Sequence, residues 1–263
     1  MLKSLPRIFS KTNLFLLILA ILASTILINW LFIKESSWYE KSFLIGSSVC
    51  HQIPSHSYHS DTQQFPLCAR CSGLYLGSLI GIIYYSLQGR KAGLPKKIWI
   101  ILLVVLFLIW GVDGVNSLAS DLMNRPFLYT TTNITRLVTG YGMGLVMSTA
   151  LITLFNITIW KDISKQPLLN SFWQVFGYVG ISTITTLLLI NSNPILFLVL
   201  AFASLLSVLL IITLLYTIFW VIVFRREGQF DRLANLGLFL LAGFSTALIQ
   251  IALLNTLRAQ ILI

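Results

Sequence analysis

Apolar residues gather into seven long runs, roughly Leu14–Ile33, Gly73–Leu87, Ile98–Asn116, Thr135–Ile159, Phe172–Ile190, Ile195–Phe224 and Leu233–Leu254, with short polar stretches between them. Strand-like alternation is absent. Hydrocarbon gives the backbone no hydrogen-bond partners, so unbroken runs of this length predict helices that satisfy their own N–H and C=O groups. All but the second run reach or approach the ~20 residues that a span needs. The second becomes long enough only if its helix begins near Cys68. The sixth has room for an interfacial turn or a strong tilt. Asn191-Ser192-Asn193-Pro194 predicts a tight turn with proline opening the next helix. The expectation is an all-α, polytopic membrane helix bundle of about seven transmembrane helices, one integral membrane domain over residues 1–263.

Composition agrees with the pattern. Hydrophobic residues make up 57% of the chain and charged residues 10%, whereas globular chains are about a quarter charged. The first run has an apolar core longer than the ~7–15 residues of a signal sequence and reads as an uncleaved anchor.

The distribution of Lys and Arg sets an orientation. The amino terminus and the second, fourth and sixth loops hold Lys3, Arg7, Lys11, Arg90, Lys91, Lys96, Lys97, Lys161, Lys165, Arg225, Arg226 and Arg232. The opposite side holds Lys34, Lys41, Arg70, Arg125, Arg136 and Arg258. Twelve against six places the amino terminus in the cytoplasm, the carboxyl terminus outside, and the loop over residues 34–72 outside the plasma (inner) membrane. The net charge of +10 is spread over loop ends, where topology and anionic lipid account for it. The expected partner is therefore the lipid bilayer, with no nucleic acid.

All three cysteines and all three histidines fall between Cys50 and Cys71. Cys68-x-x-Cys71, with Cys50 upstream and His51 beside it, supplies the donors of a tetrahedral zinc or other transition-metal site. Because neighbouring side chains diverge, Cys50 and His51 bind one ion only if the backbone turns sharply between them. His56, His59, Asp113 and water are the other candidates for the fourth position. A disulfide or a thiol-disulfide redox pair is the competing chemistry of an outside loop. The aromatic and charged segment Trp38–Ile45 has interfacial character and would keep the cluster near the membrane surface.

Gly73, Gly77 and Gly81 line one helix face, and Gly140 and Gly144 repeat the spacing in the fourth run, which predicts close helix packing. Asp113 lies about 24 Å of helix beyond Lys97, near the outer face, and Arg136 stands near the start of the next helix, after a predicted cap at Thr131-Thr132-Asn133. Charges at membrane depth are unfavourable unless paired or hydrated, so Asp113 and Arg136 are expected to meet. Asn116 and Asn133 extend that pair into a polar face. His51, Asp113 and Arg136 are the candidate catalytic residues, and Arg136, Asn133 and Asn116 the candidates for binding a substrate.

The stretch Cys50-His51-Gln52-Ile53-Pro54, then Phe65-Pro66-Leu67-Cys68-Ala69-Arg70-Cys71-Ser72-Gly73-Leu74-Tyr75-Leu76-Gly77, resembles the uncharacterised prokaryotic membrane proteins grouped as domain of unknown function 2085. Asp113-Gly114, Thr132-Asn133, Arg136, Thr139-Gly140 and Gly144 match as well. The resemblance covers about residues 45–150, leaving 151–263 as additional transmembrane helices. It implies that His51 is part of the motif, that His56 and His59 are not, and it supplies no reaction. Four functions stay open: a metal-dependent membrane-embedded enzyme acting on a lipid-like or anionic amphiphilic substrate, a transporter or ion-handling protein, a thiol-disulfide protein, and a non-catalytic scaffold.

Overall fold

The computed structural model describes residues 11–32, 37–60, 63–191 and 193–261. Lys3, Arg7, Lys34 and Ser192, which enter the expectations above, lie outside the described residues. Eight α-helices are present among those described: α1 (Lys11–Phe32), α2 (Trp38–Ser47), α3 (Ala69–Ser86), α4 (Lys97–Met123), α5 (Asn133–Ile159), α6 (Phe172–Ile190), α7 (Pro194–Val223) and α8 (Leu233–Ile261). Each of the seven apolar runs corresponds to one of them, and α2 is extra. Five, α4 to α8, are long and apolar enough to cross a membrane. The sixth run forms a single helix without an interfacial break, α7, whose 30 residues span about 45 Å. Proline opens α7 as expected.

The long loop is more ordered than its polar composition suggests. Its first part is α2, started by a reciprocal cap between Ser37 and Glu40. A 3₁₀ turn (Pro54–His56) follows, then a hairpin of β1 (Ser57–Ser60) and β2 (Gln63–Cys68). The hairpin pairs Ser57 with Cys68 and Ser60 with Gln63. The strands are too short, and their alternation too interrupted, to stand out in the sequence. Phe65 and Leu67 are fully buried, and the Phe65 ring meets Phe197 edge to face at 5.1 Å. A Cβ on Gly46 would strike the Pro66 carbonyl, so glycine lets α2 lie directly on β2.

The chain forms two compact units, with boundaries inside α5 and α7. The larger comprises residues 36–157 and 162–208. In it β2 runs straight into α3, whose amino-terminal cap residue is Cys68, so this helix does begin where the short second run required. α3 crosses α5 at backbone distance: a Cβ on Gly73 would collide with the Leu137 carbonyl, and one on Gly140 with the Arg70 carbonyl. The two glycine stripes are thus a packing seam. At the opposite end, β3 (Lys91–Gly93) and β4 (Ser164–Pro167) pair in parallel, tying the basic loop after α3 to the loop after α5.

The smaller unit comprises, among the described residues, 11–32, 158–161 and 209–261. Within it α1 packs on α8. Gly243 lies against Thr213 and Thr217, Trp220 donates its indole N–H to Thr246 at 2.9 Å, and Phe230 joins Trp160 through a backbone bridge.

Candidate functional site

Two segments supply the three sulfurs. Cys50 follows α2, and Cys68 and Cys71 sit at the cap and first turn of α3, so the hairpin's return brings them together. All three are free thiols, and their Sγ atoms lie within 4.8 Å of one another. The backbone N–H of Gln52 points to Cys50 Sγ at 3.4 Å and that of Cys68 at 3.1 Å. Gln52 itself adopts φ 56°, a left-handed conformation that few non-glycine residues take; it supplies the sharp turn beside Cys50-His51. Gln52 holds that turn by donating to the carbonyls of Phe43, at 3.0 Å, and Pro66, at 2.8 Å.

The cluster is electrostatically uneven. Cys68 accepts hydrogen bonds from Cys50, Cys71 and His51, which hold its thiol far below the ordinary range against the opposing effect of burial. Cys50, donating to that thiolate, is pushed up to about 11. His51 is exposed, and its Nδ1 accepts the Ile53 N–H at 3.0 Å. A neutral imidazole accepting at Nδ1 carries its proton on Nε2, so in this arrangement His51 is a donor to the Cys68 sulfur. Three thiol donors at this spacing fit a thiophilic ion.

The expected Asp113–Arg136 pair is not the one that forms. Asp113, fully buried on α4, pairs with Arg70 of the Cys-Ala-Arg-Cys stretch: Nε donates to Oδ2 at 2.9 Å, and Nη2 donates to the same oxygen and to the Asp113 carbonyl. The Tyr129 hydroxyl donates to Oδ1 at 2.7 Å, and the Thr139 hydroxyl to Oδ2 at 3.2 Å. Both carboxylate oxygens are engaged. Arg70 is in the first turn of α3, where the macrodipole disfavours a cation, and the carboxylate opposite it removes that penalty.

Arg136 is 7% exposed. Its guanidinium donates to Ser117 Oγ, at 3.1 Å from Nη2, and to Asn133 Oδ1 at 3.0 Å. Both partners are neutral, and among the described residues no carboxylate lies within 4.0 Å of it. Asn133 also donates to the carbonyls of Ser55 and Ser57, so it ties the loop to α5 while orienting Arg136. The predicted cap is real, with Thr132 and Thr135 bonded reciprocally. Asn116 has no hydrogen-bonding capacity left for a substrate: it donates to the Tyr129 carbonyl and the Thr131 hydroxyl and accepts from the Leu128 N–H at 2.8 Å. It shapes the connector between α4 and α5 that places Tyr129 over Asp113.

His56 is buried beside this group, 3.3 Å from Asp121 by its Nε2, and its ring stands edge-on to His51 at 5.6 Å. Burial and the nearby Arg136 charge lower its pKa, and Asp121 works in the opposite direction. His59, by contrast, is exposed on β1. Tyr129, Ser117, Asp121 and the pairing role of Arg70 are thus members of the site that the residue pattern alone did not single out, and His56, a candidate for the fourth position, faces Asp121.

Cysteine cluster, buried charges and glycine seam all lie in one continuous part of the chain. Residues 50–150 match the family described as Predicted membrane protein (DUF2085). An uncharacterized protein of Methanocaldococcus jannaschii is 28% identical over 121 residues, which are 45% of this chain and 71% of that relative. An uncharacterized protein of Methanothermobacter thermautotrophicus is 32% identical over 57 residues, 22% of this chain and 51% of that relative. No solved structure matches the chain. The DUF2085 region therefore spans every residue of the site, and the family description supports a place in the membrane.

Proposed function

We propose that Cys50, Cys68 and Cys71 hold a divalent thiophilic ion, zinc by donor type, at the extracytoplasmic end of a seven-span protein of the plasma membrane. Arg136 receives the negative group of a lipid-like or anionic amphiphilic substrate brought beside that ion. One observation carries this reading: three free thiols from two distant segments converge to within 4.8 Å, with backbone N–H groups aimed at one of the sulfurs. The fourth position falls to His51, whose Nε2 would bind once its proton has moved to Nδ1 and the Ile53 N–H contact is given up, or to an exogenous ligand. A bound ion would supply Lewis acidity at that position.

The remaining roles belong to the chain's own side chains. Arg70 and Asp113 neutralise each other and fix the start of α3 against α4, which makes Asp113 a positioning residue in preference to a base. Arg136, in the first turn of α5, combines its charge with the positive end of the helix and has only neutral direct partners; both features favour an anion. The sidedness is supported by the Lys and Arg count, together with the segregation of the β3–β4 basic loops to the end of the larger unit away from the cysteines. Transport is disfavoured by the apolar lining beneath the polar layer, where Leu102, Leu106 and Leu145 replace charged groups.

Metal analysis of the full chain, purified under reducing conditions, tests the reading. About one ion per chain is expected, falling at least about tenfold in Cys68→Ser. Metal-free wild type would overturn it, and a disulfide found by mass spectrometry in material from its native compartment would favour the redox reading.

A further inference from the structure

Helices α4 and α5 meet in a series of antiparallel rungs that change character with depth. The outermost joins Ser117 to Arg136 at 3.1 Å, and the next joins Asp113 to Thr139 at 3.2 Å. Then comes Leu106 against Gly142, where an added Cβ would sit 3.1 Å from the leucine side chain, with Leu102 and Leu145 lining the same space. At these apolar rungs the seam opens into a half-open cavity of about 450 Å³, flanked by α6 through Val175 and Ser182 and rimmed by the exposed Val138, Val179 and Leu187. From Arg136 to Leu145 is about 13 Å of helix. A cation with only neutral direct partners therefore stands above an apolar chamber on a single interface.

One unsatisfied group lies on α4 between these rungs. The Ser182 side chain lines the cavity and is within hydrogen-bonding reach of the Tyr178 hydroxyl on its own helix. The indole N–H of Trp110, between Leu106 and Asp113 in the sequence of α4, is buried and without a partner. Buried donors without partners are uncommon in folded proteins, and each calls for a missing companion. A water molecule alone would leave the chamber's apolar walls unfilled.

We infer that this seam seats one anionic lipid taken from the bilayer, its hydrocarbon chain in the chamber between α4, α5 and α6 and its headgroup at Arg136. The inference rests on the reading of Arg136 given above and adds the class of amphiphile it serves. The chamber's volume is within the ~300–1,000 Å³ of small-molecule sites. The polar atoms of the lipid's ester region would meet the unpaired Trp110 N–H, and the chain would lie against leucine and valine.

Photolabelling tests both halves. The full chain, reconstituted in nanodiscs, is irradiated with phosphatidylglycerol carrying a diazirine on its acyl chain, or with phosphatidylcholine carrying the same chain, and adducts are mapped by mass spectrometry. Expected are adducts on Leu102–Leu106 and Val175–Ser182, stronger with phosphatidylglycerol by about tenfold, the equivalent of ~1.4 kcal/mol. They should be competed away by excess unlabelled phosphatidylglycerol. Arg136→Gln should keep the adducts and lose the preference. Adducts spread over the exposed α4 face at Val112, Val115 and Leu118, and not competed, would overturn the chamber assignment while leaving the metal and Arg136 untouched. Competed chamber adducts with equal labelling by both lipids would overturn the headgroup assignment and the reading of Arg136 with it. Competition is read on the unaltered protein, so no result depends on a variant folding.

Discussion

The two compact units differ in the kind of polar group they bury. In the smaller unit, hydroxyls bond back to the turn beneath them: Thr217 to the Thr213 carbonyl, Ser245 to that of Leu241, Thr246 to that of Ala242. Such bonds close within one helix, and the links added between α7 and α8, Thr217 to the Phe239 carbonyl and Trp220 to Thr246, join neutral groups only. The larger unit has such local bonds too, as from Thr149 to the Leu145 carbonyl, but it also buries charged and amide side chains whose partners are far away in the chain, as Arg70 is from Asp113 and Asn116 from the connector carbonyls. Those bonds exist only once three helices and a loop have come together. Polar residues in the first unit are compatible with packing alone, whereas those in the second define a place where the fold has accepted desolvated charge.

The sharpest way to break that contrast is Asp113→Asn. It leaves the Arg70 guanidinium, whose side chain is 14% exposed, without its counter-charge, and should lower stability by about 3–5 kcal/mol, read as a fall in thermal midpoint in detergent. Combining it with Arg70→Gln should recover much of the loss, because the two residues act as one unit. A double variant no more stable than the single one would show that the pair is not coupled.

Gly73→Ala comes next. Its methyl group meets a backbone carbonyl that cannot turn aside, for an expected cost of about 1–3 kcal/mol. Gly177 on α6 has nothing within 4 Å of the same position, and Gly177→Ala should instead stabilise its helix by about 0.5–1 kcal/mol. Equal effects at the two sites in a denaturation series would remove the glycine seam from the explanation of the fold. Smallest is Ser245→Ala in the other unit, where loss of a bond local to one helix should stay below about 1 kcal/mol and leave metal content unchanged. A loss of metal there would mean that the distinction between the units is wrong.

Much of the architecture was legible because bilayer-length apolar runs leave little choice of structure. The fifth run and α6 share the bounds Phe172–Ile190, and the shortness of the second run was enough to place the start of α3 at the cysteines. The loop was harder to read. Its hairpin rests on Phe65 and Leu67, two buried residues in a polar stretch, and on the Gln52 side chain, whose role depends on carbonyls far along the chain. Charge pairing was harder still. Asp113 had two arginines within plausible reach, and spacing along α4 and α5 favoured Arg136; the choice of Arg70 follows from how closely α3 lies against α5, a distance that glycine permits without specifying what sits beside it.

The backbone contact at Gly73 and Gly140 also decides which parts can move. Side-chain interfaces adjust by changing rotamers, but a seam of α-carbons and carbonyls has none to change, so α3 and α5 behave as a single stiff strut. Cys68 and Cys71 are mounted on that strut, and Cys50 is mounted on the loop. Any opening of the cysteine cluster is therefore a swing of the loop away from a fixed post, with Gln52 as its latch.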